Sequence, residues 1–183
     1  MNAWEFLSTP EKERVLRRLL YSSSKESIRG IARDAGVSPG QVHKYLSILQ
    51  KNKLAGGGVV TGHPIVVGLR LLENLIFLEN HGVVASIIRS QLPHVRGVGL
   101  YGSWARGTND EKADIDLWVL TEKMPSDLTV GKLRRTLQEK TGKSMDLIVL
   151  TSEKLKNLKA RNQTFYYALV NSLKLWGTEL WSI

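Results

Sequence analysis

The N-terminal part of the chain carries apolar side chains at the three- and four-residue spacing of amphipathic helices. The pattern predicts one helix from Thr9-Pro10 and a second from Ser27 to Ala35, which Gly36 ends. A third helix begins at Ser38-Pro39. The side chains expected to face inward are Val15, Leu16, Leu19, Leu20, Ile28, Ile31, Ala32, Val42, Tyr45, Leu46 and Leu49. A short turn that contains glycine joins the second and third helices, and a first helix precedes them. This arrangement is the helix-turn-helix plan.

A short β-hairpin is predicted after these helices. Its strands would be Val59–Thr61 and Ile65–Val67, joined by Gly62-His63-Pro64. With this hairpin, the stretch SIRGIARDAGVSPGQVHKYLSILQKNKLA resembles the winged helix-turn-helix family. The resemblance implies a domain over residues 1–66, whose third helix presents the DNA-facing side chains Gln41, Lys44, Ser47 and Lys51. Because winged helices also dock proteins or dimerise, contact with DNA or RNA and docking of a protein both stay open.

From Gly68 onward the pattern predicts helices that alternate with strands. The predicted strands are Val95–Tyr101, Ile115–Leu120, Met145–Leu150 and Ser172–Trp176. The predicted helices are one through Leu69, Leu72, Leu75 and Ile76 to His81-Gly82, one from Val83 to Pro93, one from Leu128 to Lys140, and one from Ser152 to Asn171. These elements favour an α/β (α+β) fold class for the C-terminal part.

Length, composition and charge narrow the class of protein. The chain has 183 residues, enough for one large or two small domains, and 42% of them are hydrophobic. The absence of cysteine excludes disulfides, thiolate metal sites and a cysteine nucleophile. We expect a cytoplasmic protein without a membrane partner, because no apolar run approaches roughly 18 residues and the N-terminus lacks a signal peptide. The net charge of +9 favours polyanionic partners such as nucleic acid or nucleotide phosphates, although lysine and arginine also solvate helix faces.

Two aspartates interrupt the stretch LYGSWARGTNDEKADIDLWVL, residues 100–120. Strand alternation places Asp114 and Asp116 on one face, about 6–7 Å apart along the backbone. Two like charges this close are unfavourable without a cation, and Mg²⁺ prefers carboxylates together with phosphate oxygens. Asp146 opens the next predicted strand in the same way. If the two strands pair, three carboxylates converge and predict a two-metal site for phosphoryl transfer.

A candidate phosphate site precedes the aspartates. Gly102 follows an apolar strand and lets backbone amides approach an anion, and Ser103 lies in the expected first turn of a helix. Arg106 lies one turn further and would add positive charge near a triphosphate. One short stretch therefore carries groups for both metal and phosphate.

The stretch from Val95 to Leu150 resembles the DNA polymerase β-like nucleotidyltransferase superfamily, especially its minimal branch. The shared signature is Gly102-Ser103, then ten residues, then Asp114 and Asp116, and finally Asp146 on a neighbouring strand. The resemblance implies a small mixed sheet with flanking helices over residues 67–183. It also implies an enzyme that transfers a nucleoside monophosphate, AMP from ATP in the first instance, to a hydroxyl group of a protein or nucleic acid.

The resemblance further implies a role for each residue of the signature. Asp114 and Asp116 would hold two Mg²⁺ ions, or Mn²⁺ in their place. Asp146 would hold the first ion and help to deprotonate the attacking hydroxyl. Gly102 and Ser103 would grip the triphosphate, and pyrophosphate would be the second product.

The acceptor and the accessory surfaces stay open. Minimal members of the branch often act as antitoxins that transfer AMP to a tyrosine of a HEPN-type partner toxin, but they are usually shorter and lack a winged helix. The alternatives are a DNA-binding regulator whose nucleotidyltransferase fold senses nucleotide or docks a HEPN-type protein, and a transferase for small molecules. The oligomeric state is not indicated by the sequence.

Two further features allow either a functional or a structural interpretation. Trp118 shares the aspartate face and would either stack on a base or pack in the core. A basic helical stretch would either line an acceptor groove or solvate a helix face; its cations are Lys132, Arg134, Arg135, Lys140 and Lys143.

Overall fold

The computed structural model describes residues 9–21, 27–55 and 62–183. Contacts divide the chain into two units, residues 1–73 and residues 74–183. Among the described residues, no helix has the length and apolar character needed to cross a membrane.

Three helices of the N-terminal unit follow the predicted pattern. They are α1 (Pro10–Tyr21), α2 (Ile28–Ala35) and α3 (Pro39–Lys51). Ser27 caps α2 by accepting a hydrogen bond from the amide of Gly30, and Gly36 ends the helix in the left-handed conformation at φ 63°. Ser38 and Gln41 form a reciprocal capping box at the start of α3. The predicted apolar faces meet in one core; its buried members are Val15, Leu16, Leu19, Leu20, Ile31, Ala32, Ala35, Val42, Tyr45, Leu46, Leu49, Leu54 and Val66.

The predicted hairpin strand Ile65–Val67 is wrong. These residues lie in helix α4, which spans Pro64–Asn80, and Val66 is buried in the core of the N-terminal unit. Proline at the first helical position has the right φ and needs no amide partner there, so Pro64 starts this helix rather than a turn. Packing then overrides the strand preference of three β-branched side chains. The other predicted strand, Val59–Thr61, lies outside the described residues.

The C-terminal unit has a mixed α/β fold, as predicted. After α4 its elements are a π-helical segment (Val83–Ile88), α5 (Arg89–Gln91), β1 (Val95–Tyr101), α6 (Gly102–Arg106), β2 (Ile115–Thr121), α7 (Asp127–Thr141), β3 (Met145–Leu150), α8 (Ser152–Arg161), α9 (Gln163–Val170), β4 (Leu173–Gly177) and a 3₁₀ turn (Leu180–Ser182). The single helix predicted from Ser152 to Asn171 is divided at Asn162, whose side chain caps α9 by accepting from the amide of Phe165.

The four strands form one mixed sheet in the order β3-β2-β1-β4. β1 is antiparallel to both β2 and β4, whereas β2 and β3 are parallel and α7 connects them. Alternation along β2 gives the sheet two apolar faces. Leu117 and Val119 pack toward α7 and the π-helical segment, while Trp118 and Leu120 pack toward α8 and α9.

Trp118 belongs to the core rather than to a base-stacking surface. It is 2% exposed and packs among the apolar side chains of α8, α9 and the 3₁₀ turn. Its indole N–H donates to Oγ of Ser172 at 2.7 Å, which satisfies the polar atom that burial removes from water. Asp116 lies two residues before Trp118 in β2, so the two side chains point to the same face of the sheet. The candidate site therefore lies at the end of this face.

Candidate active site

Strand register brings the predicted acidic residues to one end of the sheet. Tyr101 of β1 is the partner of Asp116 in β2, and Asp116 is in turn the partner of Asp146 in β3. The two aspartate strands are therefore paired, which is the condition on which the predicted convergence of the carboxylates depended. Neighbouring strands lie about 4.7–4.9 Å apart, so these three side chains form a row across three strands. Asp114 immediately precedes β2 and is exposed.

Gly102 allows the backbone to pass directly against Asp116. Its φ of 69° is left-handed, and a Cβ at this position would overlap Oδ2 of Asp116. Only glycine accommodates both conditions, so this residue fixes the place of the Asp116 carboxylate as well as the entry into α6. The short helix α6 starts at this glycine, and its first turn contains the half-buried Ser103.

A buried amide pair supports α6 and the loop that leads to Asp114. Asn74 donates to the carbonyl oxygen of Trp104 at 2.9 Å and to Oδ1 of Asn109 at 2.9 Å, and Asn109 returns a bond of 3.3 Å. The indole N–H of Trp104 donates to the carbonyl oxygen of Ala113 at 3.1 Å. These bonds hold both ends of the loop. No local sequence pattern marks this pair, because Asn74 and Asn109 are separated by 35 positions in the chain.

The neighbouring carboxylates raise the free energy of the ionised form of Asp116. The pKa of Asp116 is raised, first by burial and then by the negative charges of Asp146 and Asp114. The positive charge of Arg106 acts in the opposite direction. Arg106 thus contributes positive potential at Asp116.

Two residues that the sequence analysis did not assign to the metal site contact Asp146. The hydroxyl of Tyr101 donates to Oδ2 of Asp146 at 3.1 Å, and Nη2 of Arg134 lies 3.7 Å from its Oδ1. The pKa of Tyr101 is raised by burial, by the charge and hydrogen bond of Asp146, and by the charge of Asp116. The sequence pattern left Arg134 either in an acceptor groove or on a solvated helix face. Its neighbour Arg135 instead pairs with Glu139 at 2.8 Å, so the two arginines are engaged separately.

The donor chemistry suits a divalent cation, but no cluster is assembled in advance. Carboxylate oxygens are the ligands that Mg²⁺ prefers, and Asp114, Asp116 and Asp146 supply them at one end of the sheet. Nevertheless, residues 9–21, 27–55 and 62–183 contain no group of three or more acidic, histidine or cysteine side chains arranged to hold a metal ion. The three carboxylates thus lie at one end of the sheet without forming such a group among these residues.

Asp116→Asn is expected to stabilise the metal-free chain near neutral pH by on the order of 1 kcal/mol, or about 2–4 °C in Tm. A raised pKa means that the folded state favours the protonated carboxyl, so ionised Asp116 destabilises the fold above that pKa. The gain should disappear as the pH falls below the usual aspartate pKa, where the carboxyl is protonated in folded and unfolded chains alike. Thermal unfolding in EDTA at the two pH values measures both effects.

Asp114→Asn is the matched control for this prediction, because Asp114 carries the same charge nearby but is exposed. Its gain should be smaller. An Asp116→Asn chain that unfolds at or below the wild-type temperature near neutral pH would contradict the electrostatic account.

Comparisons with known proteins show that part of the chain is similar to nucleotidyltransferases. Residues 83–171 match the family model of the nucleotidyltransferase domain. The protein adenylyltransferase MntA of Thermococcus cleftensis is 37% identical over 60 residues, which are 33% of this chain and 61% of the relative. The chain thus spans about three fifths of the length of that relative. The family match begins C-terminal to the predicted winged helix, so it does not bear on that domain.

Two solved structures are similar to part of the chain. A toxin-antitoxin solved with AMP-PNP has a TM-score of 0.44 and 23% identity, over 54% of this chain and 74% of that chain. The tri-AMPylated HEPN toxin of Shewanella oneidensis in complex with MNT antitoxin gives a TM-score of 0.41 and 20% identity, over 56% of this chain and 73% of that chain. At these TM-scores the likenesses carry no argument about function.

Proposed function

We propose that the chain is a metal-dependent nucleotidyltransferase that transfers AMP from ATP to a hydroxyl group, with release of pyrophosphate. One observation carries the proposal: strand register places Tyr101, Asp116 and Asp146 in a row, with the Gly102 backbone against Asp116. The family match over residues 83–171 supports the same activity. In the reaction, the acceptor oxygen attacks the α-phosphorus, the bond to the bridging oxygen breaks, and pyrophosphate leaves.

Each residue of the site takes a role that its position supports. Gly102 and Ser103 bind triphosphate oxygens at the start of α6, and Arg106 adds positive charge there. Asp114 and Asp116 would hold two Mg²⁺ ions, or Mn²⁺ in their place. Asp146 contributes to the first ion and accepts the proton of the attacking hydroxyl. The ions, when bound, neutralise charge on the triphosphate and increase the acidity of the acceptor hydroxyl.

A protein hydroxyl is the first acceptor to test, because the matched relative is named as a protein adenylyltransferase. The resemblance to minimal antitoxins makes a tyrosine of a HEPN-type protein the specific candidate. A nucleic-acid hydroxyl is the alternative, since the net charge of +9 favours a polyanionic partner. A gene for a HEPN-like protein beside the gene for this chain would favour the protein acceptor.

Isothermal titration is expected to show ATP binding that requires Mg²⁺ and that EDTA abolishes. Asp114→Ala/Asp116→Ala should weaken this binding at least ~10-fold, because the variant removes both carboxylates next to the triphosphate site. Asp34→Ala, in the N-terminal unit, is the control for loss of an acidic side chain. Equal affinity of the double variant and the wild type would show that these aspartates do not form the nucleotide site.

A second proposed function is nucleic-acid binding by the helix-turn-helix. One observation favours it: α3 presents an exposed polar face opposite its buried stripe. The exposed residues of this face are Gln41, Lys44, Ser47 and Lys51. The same face would also suit the regulator alternative, in which the C-terminal unit senses nucleotide without catalysis. Because Ile65–Val67 form part of a helix rather than a hairpin strand, the proposal rests on α3.

Duplex DNA should bind the full chain with an affinity that falls steeply as the salt concentration rises, because bound lysine and arginine release counterions from the phosphates. Mobility shifts at several salt concentrations measure this dependence. Lys44→Glu should weaken binding at every salt concentration, whereas Lys123→Glu removes the same charge at an exposed position of the C-terminal unit and should weaken it less. Equal loss in both variants would indicate attraction by net charge alone. No shift at low salt would favour a protein-docking role for α3.

A further inference from the structure

Side chains from two other elements engage both carboxylate oxygens of Asp146. Tyr101, at the end of β1, donates its hydroxyl to Oδ2 at 3.1 Å. Arg134, on α7, places Nη2 3.7 Å from Oδ1, and the same nitrogen donates to the carbonyl oxygen of Leu147 at 3.5 Å. Asp146 is therefore held from the sheet by a neutral group and from the helix by a cation.

The two partners have opposite consequences for a divalent cation at Asp146. A carboxylate oxygen has two lone pairs, so the neutral hydroxyl of Tyr101 leaves Oδ2 able to act as a ligand. The guanidinium of Arg134 is positively charged at every accessible pH. A divalent cation drawn to Oδ1 would be repelled by this charge and would have to displace it. Tyr101 is thus compatible with a bound cation, whereas Arg134 competes with it.

We propose that Arg134 is an internal competitor of the divalent cation at Asp146 and that Tyr101 is the residue that positions Asp146 for that cation. The inference rests on the proposed function, because it concerns a carboxylate assigned there to the metal. Without a divalent cation, Arg134 lies beside Asp146 and offsets part of its negative charge. A divalent cation bound at Asp146 would have to displace the guanidinium of Arg134 from Oδ1. The third carboxylate would therefore join the site only when a divalent cation displaces the guanidinium.

Exposure and geometry make the Arg134 contact a reversible one. The side chains of Arg134 and Asp146 are 45% and 55% exposed, and exposed ion pairs are weak because water screens them. A separation of 3.7 Å is long for a direct hydrogen bond between a guanidinium and a carboxylate. The competition should therefore change cation affinity several-fold rather than by orders of magnitude.

Binding of Mn²⁺ alone to the full chain, followed by electron paramagnetic resonance of the free ion, tests the inference. Arg134→Gln keeps an N–H donor but removes the charge, and it should lower the Kd for Mn²⁺ about 3–10-fold. Arg134→Lys keeps the charge and should stay within about twofold of the wild type. Tyr101→Phe removes only the neutral donor and should raise the Kd about 2–5-fold. Changes in opposite directions from two partners of one carboxylate cannot arise from general damage to the fold.

Arg135→Gln is the matched control. Arg135 is adjacent on α7, its side chain is 82% exposed, and it pairs with Glu139 rather than with Asp146. Its removal should leave the Kd for Mn²⁺ within about twofold of the wild-type value, because solvent screens an exposed charge at that position. Equal tightening by Arg134→Gln and Arg135→Gln would reduce the effect to net charge and overturn the inference.

The remaining outcomes separate the inference from the proposed function. If the wild type binds Mn²⁺ and Arg134→Gln binds it equally or more weakly, the competition is overturned and the proposed function stands. If Asp146→Asn binds Mn²⁺ as tightly as the wild type, Asp146 is not a ligand and the inference is overturned. If neither the wild type nor any variant binds Mn²⁺ at millimolar concentration, both the inference and the metal-dependent function are overturned.

Discussion

Asp146→Asn is expected to lower nucleotidyl transfer at least ~10²-fold while the affinity for ATP stays within about threefold of the wild type. The substitution keeps the shape of the side chain and one acceptor oxygen, but it removes the charge that attracts a cation and takes up the proton of the acceptor. Asp114 and Asp116, which we propose to hold the ions next to the triphosphate, remain in place. Binding and catalysis should therefore separate at this residue, although all three carboxylates lie at one end of the sheet.

Transfer of nucleotide labelled at the α-phosphate measures the rate, and isothermal titration with Mg²⁺ measures the affinity. Asp127→Asn is the control, because Asp127 is an exposed aspartate in the first turn of α7, away from the strand ends that carry the site. It should leave both quantities near the wild-type values. Unchanged transfer by Asp146→Asn would rule out a catalytic part for the third carboxylate.

Gly102→Ala is expected to lower transfer at least ~10²-fold, because a displacement of about 1 Å at a reacting group has an effect of this size. The added Cβ would overlap Oδ2 of Asp116, so the carboxylate must move away from the α6 backbone. The left-handed φ of 69° adds a conformational cost of about 1–2 kcal/mol for any residue with a Cβ. The first effect acts on the site, and the second acts on stability.

Gly142→Ala separates these two effects. Gly142 ends α7 at a φ of 65°, and a Cβ there would meet nothing within 4 Å. This control should lower Tm by a similar amount to the conformational part of Gly102→Ala while its transfer rate, measured well below Tm, stays near wild type. A Gly102→Ala chain that transfers nucleotide at the wild-type rate would show that the contact between Gly102 and Asp116 is not needed for the reaction.

The paired strands of the candidate site were predictable because local pattern and charge agree there. Three apolar runs predicted the strands, and each has a candidate site residue at its end. These residues are Gly102, Asp116 and Asp146. Parallel pairing of β2 with β3 then makes the two aspartates direct partners. Helices were predictable for the same reason, since caps such as Ser38 and terminators such as Gly36 act over a few residues.

What the sequence did not indicate depends on contacts between distant positions. Tyr101 and Arg134 reach Asp146 from other elements, and no local pattern marks either residue as its partner. Ile65–Val67 have the β-branched composition of a strand. They nevertheless lie in one helix, which begins at Pro64 and continues through the apolar positions that follow. Tertiary packing decided that segment, because burial of Val66 outweighs a weak local preference.

Transfer of a nucleoside monophosphate by this chain can be measured in one assay. The full chain is incubated with Mg²⁺ and ATP labelled at the α-phosphate, together with a HEPN-type protein, with RNA 3′ ends, or alone. We expect label to become covalently attached to one of these acceptors and pyrophosphate to appear in equal amount. EDTA or the Asp114→Ala/Asp116→Ala variant should prevent both the attachment of label and the release of pyrophosphate. Binding of ATP without attachment of label to any acceptor would contradict the account and favour a nucleotide-sensing regulator.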